Sequence, residues 1–286
     1  MMKTMMPFFL VGLLAACSNA TIPDVKRQFI DDGQTHPLVV VLGGSEGGNT
    51  LANPQWQPFL NGFNDIGISV AALGYYGTEN TSNSAAELSL DGIAKRIKAL
   101  SADPKINQNC VAVYGFSKGA ELALLLGTHF DEINHVVAVM PSHVSWNAVK
   151  TLSSRSSWTL SGNALDYIDA PLLSWKMQKG NVTGEFTPAF EAALTEATPE
   201  AIVAARIPVE KTNGPVLLIS AKHDEIWPSY IMAGYIEAGL HETNFSHPFK
   251  HIALNAGHYS FNKKVQTEVN QFLSETLVAR CANKEY

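Results

Sequence analysis

Apolar residues in this chain gather in short unbroken runs at 37–43, 67–73, 110–115, 134–140 and 215–220, with a further strand-like stretch near 249–255. A strand apolar at nearly every position is one buried on both faces, as in a parallel sheet, since a half-exposed strand would alternate. Between the runs lie helical patterns near 54–64, 87–100, 118–129, 228–239 and 261–280. This alternation predicts an α/β fold, a mostly parallel sheet flanked by helices.

Residues 142–212 break the rhythm. About seventy residues, with Trp146, Trp158, Trp175, Met177, Phe186 and Phe190 among them, stand where one crossover would suffice. They are predicted to form a lid insertion, whose side chains would either line an apolar substrate pocket or make a small core of their own. No internal repeat or Pro/Gly-rich linker divides the remainder, so residues 30–286 read as one domain with the lid inside it, preceded by a tether at 17–29.

Composition narrows the function. The chain has 286 residues, 46% hydrophobic and 16% charged, with a net charge of −6. That is enough for one domain with a large core, and without a basic cluster nucleic acid is not an expected partner. Oligomeric state is not legible.

The amino end changes the picture of location. Lys3 precedes an apolar stretch from Met5 to Ala16, and Leu14-Ala15-Ala16-Cys17 leads into the polar Ser18-Asn19. The stretch is too short to favour a membrane-spanning helix. It resembles a bacterial lipoprotein signal with its lipobox. The resemblance implies removal of residues 1–16, acylation of Cys17 and a membrane partner through that lipid. With Ser18 not a retention signal, the expected place is the outer membrane, facing the periplasm. The other reading is an ordinary secretory signal with an incidental Cys17. Cys110 and Cys281 then form an even remainder in an oxidising compartment, where they would either pair or stay as two buried thiols.

The candidate chemistry centres on Gly115-Phe116-Ser117-Lys118-Gly119, fed by a β-type run and followed by a helix-forming one. Gly-x-Ser-x-Gly at such a junction is the sequence form of a nucleophile elbow, in which glycines flank a serine held in strained backbone. On that fold the partners follow in the order acid, then histidine, each just past a strand. Asp224 follows the run at 215–220, and His258 follows the strand near 249–255 in a turn opened by Gly257. Asp224 is expected to be the acid rather than Glu225. His251 falls within a strand and His223 directly beside the acid, so His258 is the expected base. An oxyanion needs two N–H donors. The residue after the serine, Lys118, would give one, and Gly44 or Ser45 in the glycine-rich loop at 43–48 the other. That loop lacks the Gly-Lys-Ser/Thr ending of a phosphate-binding loop.

With these residues placed, the chain resembles the carboxyl-terminal α/β-hydrolase domain of the acyl-CoA thioesterase and bile-acid-CoA:amino-acid N-acyltransferase family. The likeness runs over about residues 30–275. It rests on Gly115 through Leu122, on Asp224-Glu225-Ile226-Trp227-Pro228-Ser229, on Gly257-His258-Tyr259, and in the lid on Ser157-Trp158-Thr159 and Leu165-Asp166-Tyr167. Lys118 and Glu121 together separate it from generic esterases. The resemblance implies a Ser117–Asp224–His258 triad, and because the transferring members carry cysteine at the elbow, Ser117 implies hydrolysis. Animal members have an additional amino-terminal β-sandwich, for which no room is expected before the first strand. A lipoprotein location also separates this chain from cytoplasmic acyl-CoA.

The expected function is a serine hydrolase that cleaves a thioester or carboxylic ester with an apolar acyl chain, through an acyl-enzyme on Ser117. That chemistry needs no metal and no cofactor. The other readings are an envelope peptidase or amidase on the same triad, and a lipoprotein that binds ligands without catalysis.

Overall fold

Seven strands form the central sheet. In the computed structural model, which describes residues 23–149, 151, 154–260 and 262–283, the chain order is β1 (Val25–Gln28), β2 (His36–Leu42), α1 (Gln57–Asn64), β3 (Ser69–Leu73), β4 (Leu88–Ser89), α2 (Leu90–Ser101), β5 (Ile106–Phe116), α3 (Lys118–His129) and β6 (His135–Val139). An insertion follows with β7 (Trp158–Leu160), β8 (Asn163–Ala164), α4 (Trp175–Thr183), α5 (Thr187–Glu196) and α6 (Pro199–Ala205). The body resumes with β9 (Val216–Ala221), α7 (Ser229–Glu242), β10 (Phe249–Leu254), α8 (Lys263–Leu273), a π turn at Ser274–Val278 and α9 (Ala279–Asn283). The expected signal at 1–16 and the acylated Cys17 lie outside the described residues.

The sheet order is β1-β3-β2-β5-β6-β9-β10, parallel throughout except that β1 runs antiparallel to β3. β2, β3, β5, β6 and β9 carry the apolar runs, and one core cluster packs on each face of the sheet. The tether expected over 17–29 needs correction at its carboxyl end, because Val25–Gln28 join the sheet edge. Its sequence, Val-Lys-Arg-Gln, has no apolar run to betray it, and an edge strand tolerates such charges because one side of its ladder faces water.

The insertion is not one lid body. Trp158 is buried in the main core, and β7 pairs with β4 and β8 in a three-stranded sheet. Val144, Trp146, Ile168, Met177, Ala189 and Trp227 make a satellite core against which Phe186 and Phe190 pack. Trp175 points out into solvent. These side chains mostly hold the insertion on the body.

Cys110 and Cys281 form a disulfide that closes a separation of 171 residues and ties α9 to β5. A chain-entropy treatment assigns such a loop about 5 kcal/mol, of which real bridges deliver a part. The Cys110→Ser/Cys281→Ser variant is expected to melt about 5–15 °C lower by differential scanning calorimetry; an unchanged midpoint would contradict the bridge.

Two buried histidines add a pH dependence. Burial holds His135 at about 3 and His143 at about 4, with Arg280 and Arg206 respectively pushing the same way. Both lie below an unfolded histidine near ~6.5, so their contribution is present above that pH and is lost as pH falls toward the folded values. At pH 5 the loss is about 2 kcal/mol for each. The melting temperature is expected to be about 10 °C lower at pH 5 than at pH 8, and equal values would contradict neutral buried imidazoles.

Candidate active site

The turn from β5 into α3 places Ser117 at φ 54° and ψ −118°, a conformation that an L-residue adopts only under constraint. The glycines are there for space. A Cβ on Gly115 would meet Gly119 O at 1.9 Å, and one on Gly119 would meet Gly43 O at 2.2 Å. The turn is therefore closed by backbone on both sides, with Ser117 at its apex.

Asp224 and His258 come to the same place from the ends of β9 and β10. His258 Nδ1 lies 2.8 Å from Asp224 Oδ1, and His258 Nε2 lies 3.0 Å from Ser117 Oγ. An ionised carboxylate only accepts, so Nδ1 carries the proton and Nε2 is left to accept the serine hydroxyl. All three side chains are buried. The sequence-predicted trio is thus one hydrogen-bonded chain, while His251 bonds Ser220 and Glu237, and His223 bonds Asn255.

Several partners escaped the sequence reading. Asp224 Oδ1 also accepts from Ile226 N (3.0 Å) and Trp227 N (3.2 Å), and Oδ2 accepts from Ser229 Oγ, so the carboxylate is held before it meets the histidine. Glu225 accepts from the backbone N–H of His258 at 2.9 Å. Its side chain thus fastens the histidine turn. Phe186 N (2.7 Å) and Thr187 N (3.2 Å) both donate to Glu225 O, which joins the insertion to the acid loop. Neither the turn bonds nor this docking leaves a periodic trace in sequence.

The oxyanion candidates are disposed unequally. Lys118 opens α3, where the first N–H groups lack intrahelical partners. The loop after β2 lies close by, Gly44 packing against Phe116. But Gly44 N–H donates to Glu46 Oε1 at 3.1 Å, and Thr50 Oγ1 donates to the same oxygen at 2.6 Å. As a free donor Gly44 therefore needs correction: in this conformation a carboxylate two residues on occupies its N–H. Tyr75 and Tyr76 brace the loop by donating to the carbonyls of Gly43, Gly44 and Ser45.

The Lys118 side chain turns inward. It pairs with both oxygens of Glu121 at 2.9 Å, and the two residues are 4% and 0% exposed. Glu121 Oε1 also accepts from Trp146 N (3.1 Å) and Trp158 Nε1 (2.6 Å). Burial pushes the Lys118 ammonium below its usual value, and Glu121 pulls it back. The pair thus bolts the start of the insertion to the elbow helix. The (i, i+3) spacing of Lys and Glu was the available signal; the tryptophan partners are far away in sequence.

A cavity of about 790 Å³ between α5, α6 and α7 is lined by His143, Ile202, Ile207, Tyr235 and Ile236 among others, and holds none of Ser117, Asp224 or His258. Among the described residues no group of three or more His, Cys, Asp or Glu is arranged to hold a metal ion.

The family described as BAAT / acyl-CoA thioester hydrolase C terminal matches residues 89–260, more than half of the chain and all three residues of the hydrogen-bonded chain. The chain belongs to this family. Solved structures similar to this BAAT / acyl-CoA thioester hydrolase C-terminal member include 2,6-dihydroxy-pseudo-oxynicotine hydrolase, with a TM-score of 0.56 at 14% identity over 89% of this chain and 64% of that one. The chain thus spans just under two thirds of that protein. An esterase from Pyrococcus furiosus gives 0.54 at 15% over 88% of each chain. The acetyl ester-xyloside bifunctional hydrolase of Caldicellulosiruptor lactoaceticus gives 0.55 at 17% over 88% and 87%. At these identities the likeness is one of fold. No curated protein sequence matches the chain. Fold and family agree: this member has the α/β-hydrolase fold.

Removing one partner of the buried pair leaves the other charge uncompensated, at a cost of about 3–5 kcal/mol. Lys118→Met is expected to lose that much stability in urea unfolding, and Lys118→Met/Glu121→Gln, whose amide oxygen still accepts from Trp146 N and Trp158 Nε1, to recover most of it. A double variant as unstable as the single would contradict the pairing.

Proposed function

We propose that this protein is a serine hydrolase that cleaves a thioester or carboxylic ester carrying an apolar acyl chain. The observation that supports it is the unbroken hydrogen-bond chain from Ser117 Oγ through His258 to Asp224, starting at a serine with positive φ.

Ser117 Oγ attacks the carbonyl carbon while its proton passes to His258 Nε2. Asp224, already held by two backbone N–H groups and Ser229, keeps the imidazole oriented and stabilises its charged form. The oxyanion takes the N–H of Lys118 and that of Ser45, or of Gly44 once Glu46 has swung aside. Collapse expels the thiolate or alkoxide, which receives the proton from His258, leaving an acyl-enzyme. Water repeats the cycle from the other side, giving its proton to His258 and releasing the acid with Ser117 restored. No step requires a metal or cofactor.

We further propose that the chain is a lipoprotein acylated on Cys17 and held in the cell envelope. Leu14-Ala15-Ala16-Cys17 after an apolar stretch supports that reading.

The test uses the full chain and its Ser117→Ala variant, with a fluorophosphonate probe, acyl thioesters, p-nitrophenyl esters of graded chain length and matched amides. Wild type is expected to label covalently and to turn over esters and thioesters faster than amides. Ser117→Ala should lose labelling and at least about a thousandfold in kcat. A variant that still turns over would refute Ser117 as nucleophile, and preference for the amides would replace the esterase reading.

A further inference from the structure

The direction of β1 decides which end of the domain an anchor would hold. β1 runs antiparallel to β3 with Val25 opposite Leu73 and Gln28 opposite Val70. Val25 therefore stands where β3 and its parallel neighbours end, the end that carries Ser117, Asp224 and His258. The residues just before it are fixed there. Gly74 N donates to Asp24 O at 2.8 Å, Asn80 Nδ2 donates to the Asp24 carboxylate, and Asn49 Nδ2 reaches Pro23 O. Cys17 stands only six positions before Pro23, a reach of about 20 Å when fully extended. A lipid on Cys17 would hold the catalytic end of the domain, not the opposite end, against a bilayer.

An independent feature sits at that same end. The helix pair α4 and α5 is fastened to the acid loop through Phe186 and Thr187, and Gly180 of α4 packs on Phe186. On its outer side α4, with the turn before it, exposes Leu173 (72%), Trp175 (69%) and Val182 (88%). Lys176 and Lys179 lie on the same helix, Lys179 Nζ standing 5.9 Å from the centre of the Trp175 ring. Tryptophan with aliphatic neighbours and flanking lysines suits the headgroup region, where an indole has both an apolar bed and water for its N–H. Tyr259, exposed beside His258, adds a second aromatic at the site.

We propose that the surface of Leu173, Trp175 and Val182 docks on the lipid bilayer, so that the site takes its acyl ester from the membrane. This rests on the serine hydrolase reading and on acylation of Cys17. The short tether sets the orientation, and the apolar side chains keep the contact.

The full chain, produced with its own leader, is reconstituted in phosphatidylcholine/phosphatidylglycerol vesicles with or without brominated acyl chains. Mass spectrometry of the amino-terminal peptide is expected to show a lipid on Cys17, and an unmodified cysteine overturns the proposal. Bromine is expected to quench tryptophan emission, with most of the quenching lost in Trp175→Phe. Absent quenching, equal quenching in the variant, or Trp175 shielded instead in a dimer each overturns it. Leu173→Ser/Trp175→Ser/Val182→Ser should turn over a soluble p-nitrophenyl ester like wild type but lose at least fivefold on a long-chain ester embedded in the vesicles. Equal loss on both substrates overturns it. Failure of wild type on the soluble ester would instead count against the serine hydrolase reading, which the quenching measurement does not depend on.

Discussion

Ser117 is held at φ 54°, and the surrounding architecture exists to make that conformation the favoured one. A non-glycine residue in this region costs on the order of 1–3 kcal/mol and persists only where its surroundings over-determine it. Here β5, buried in mid-sheet, fixes one side of the turn, and α3, buried along nearly its whole length, fixes the other. Gly115 and Gly119 let the two backbones meet. Because Gly119 also lies against Gly43, the contact that closes the turn brings the glycine-rich loop beside the serine. Ser117 and the glycine-rich loop are placed by one packing event.

The insertion is tied to this turn twice, by different physics. At its start the buried Lys118–Glu121 pair collects Trp146 N and Trp158 Nε1, a network whose members are all satisfied and which would be costly to leave half made. Further on, Phe186 and Thr187 hydrogen-bond the acid loop, and the satellite core takes in Trp227 from that loop. Helix α4, with Trp175 and Val182, and the turn before it, with Leu173, are thereby positioned by the elements that position Asp224 and His258.

Electrostatics at the site are one-sided. Asp224, Glu225 and Glu46 all lie near the serine–histidine pair, and burial, joined by the charges of Glu225, Glu46 and Asp224, raises the Tyr259 phenol above its ordinary value. Lys118, the cation nearest in sequence, is neutralised by Glu121. Each carboxylate has separate work: Asp224 orients the imidazole, Glu225 fixes the turn that carries it, and Glu46 holds the Gly44 N–H. The Glu46 bond is made by an exposed side chain.

The strands buried on both faces, the helices between them, the serine at its glycine-flanked turn and the order of Asp224 and His258 were legible in the amino-acid sequence. Each is written in short-range patterns: apolar runs, helical spacing, and glycine where backbone must approach backbone. Which polar groups meet is a product of the folded arrangement. The edge strand Val25–Gln28 has no apolar run and is recognisable only by its pairing with β3. Glu225 on the His258 N–H, Glu46 on the Gly44 N–H and Glu121 beneath two tryptophans are contacts made by folding. Their energies depend on burial and on a partner's exact placement, and neither is encoded at the residue that benefits. The direction in which the chain enters the sheet, and so which end an anchor would face, was likewise a matter of strand pairing alone.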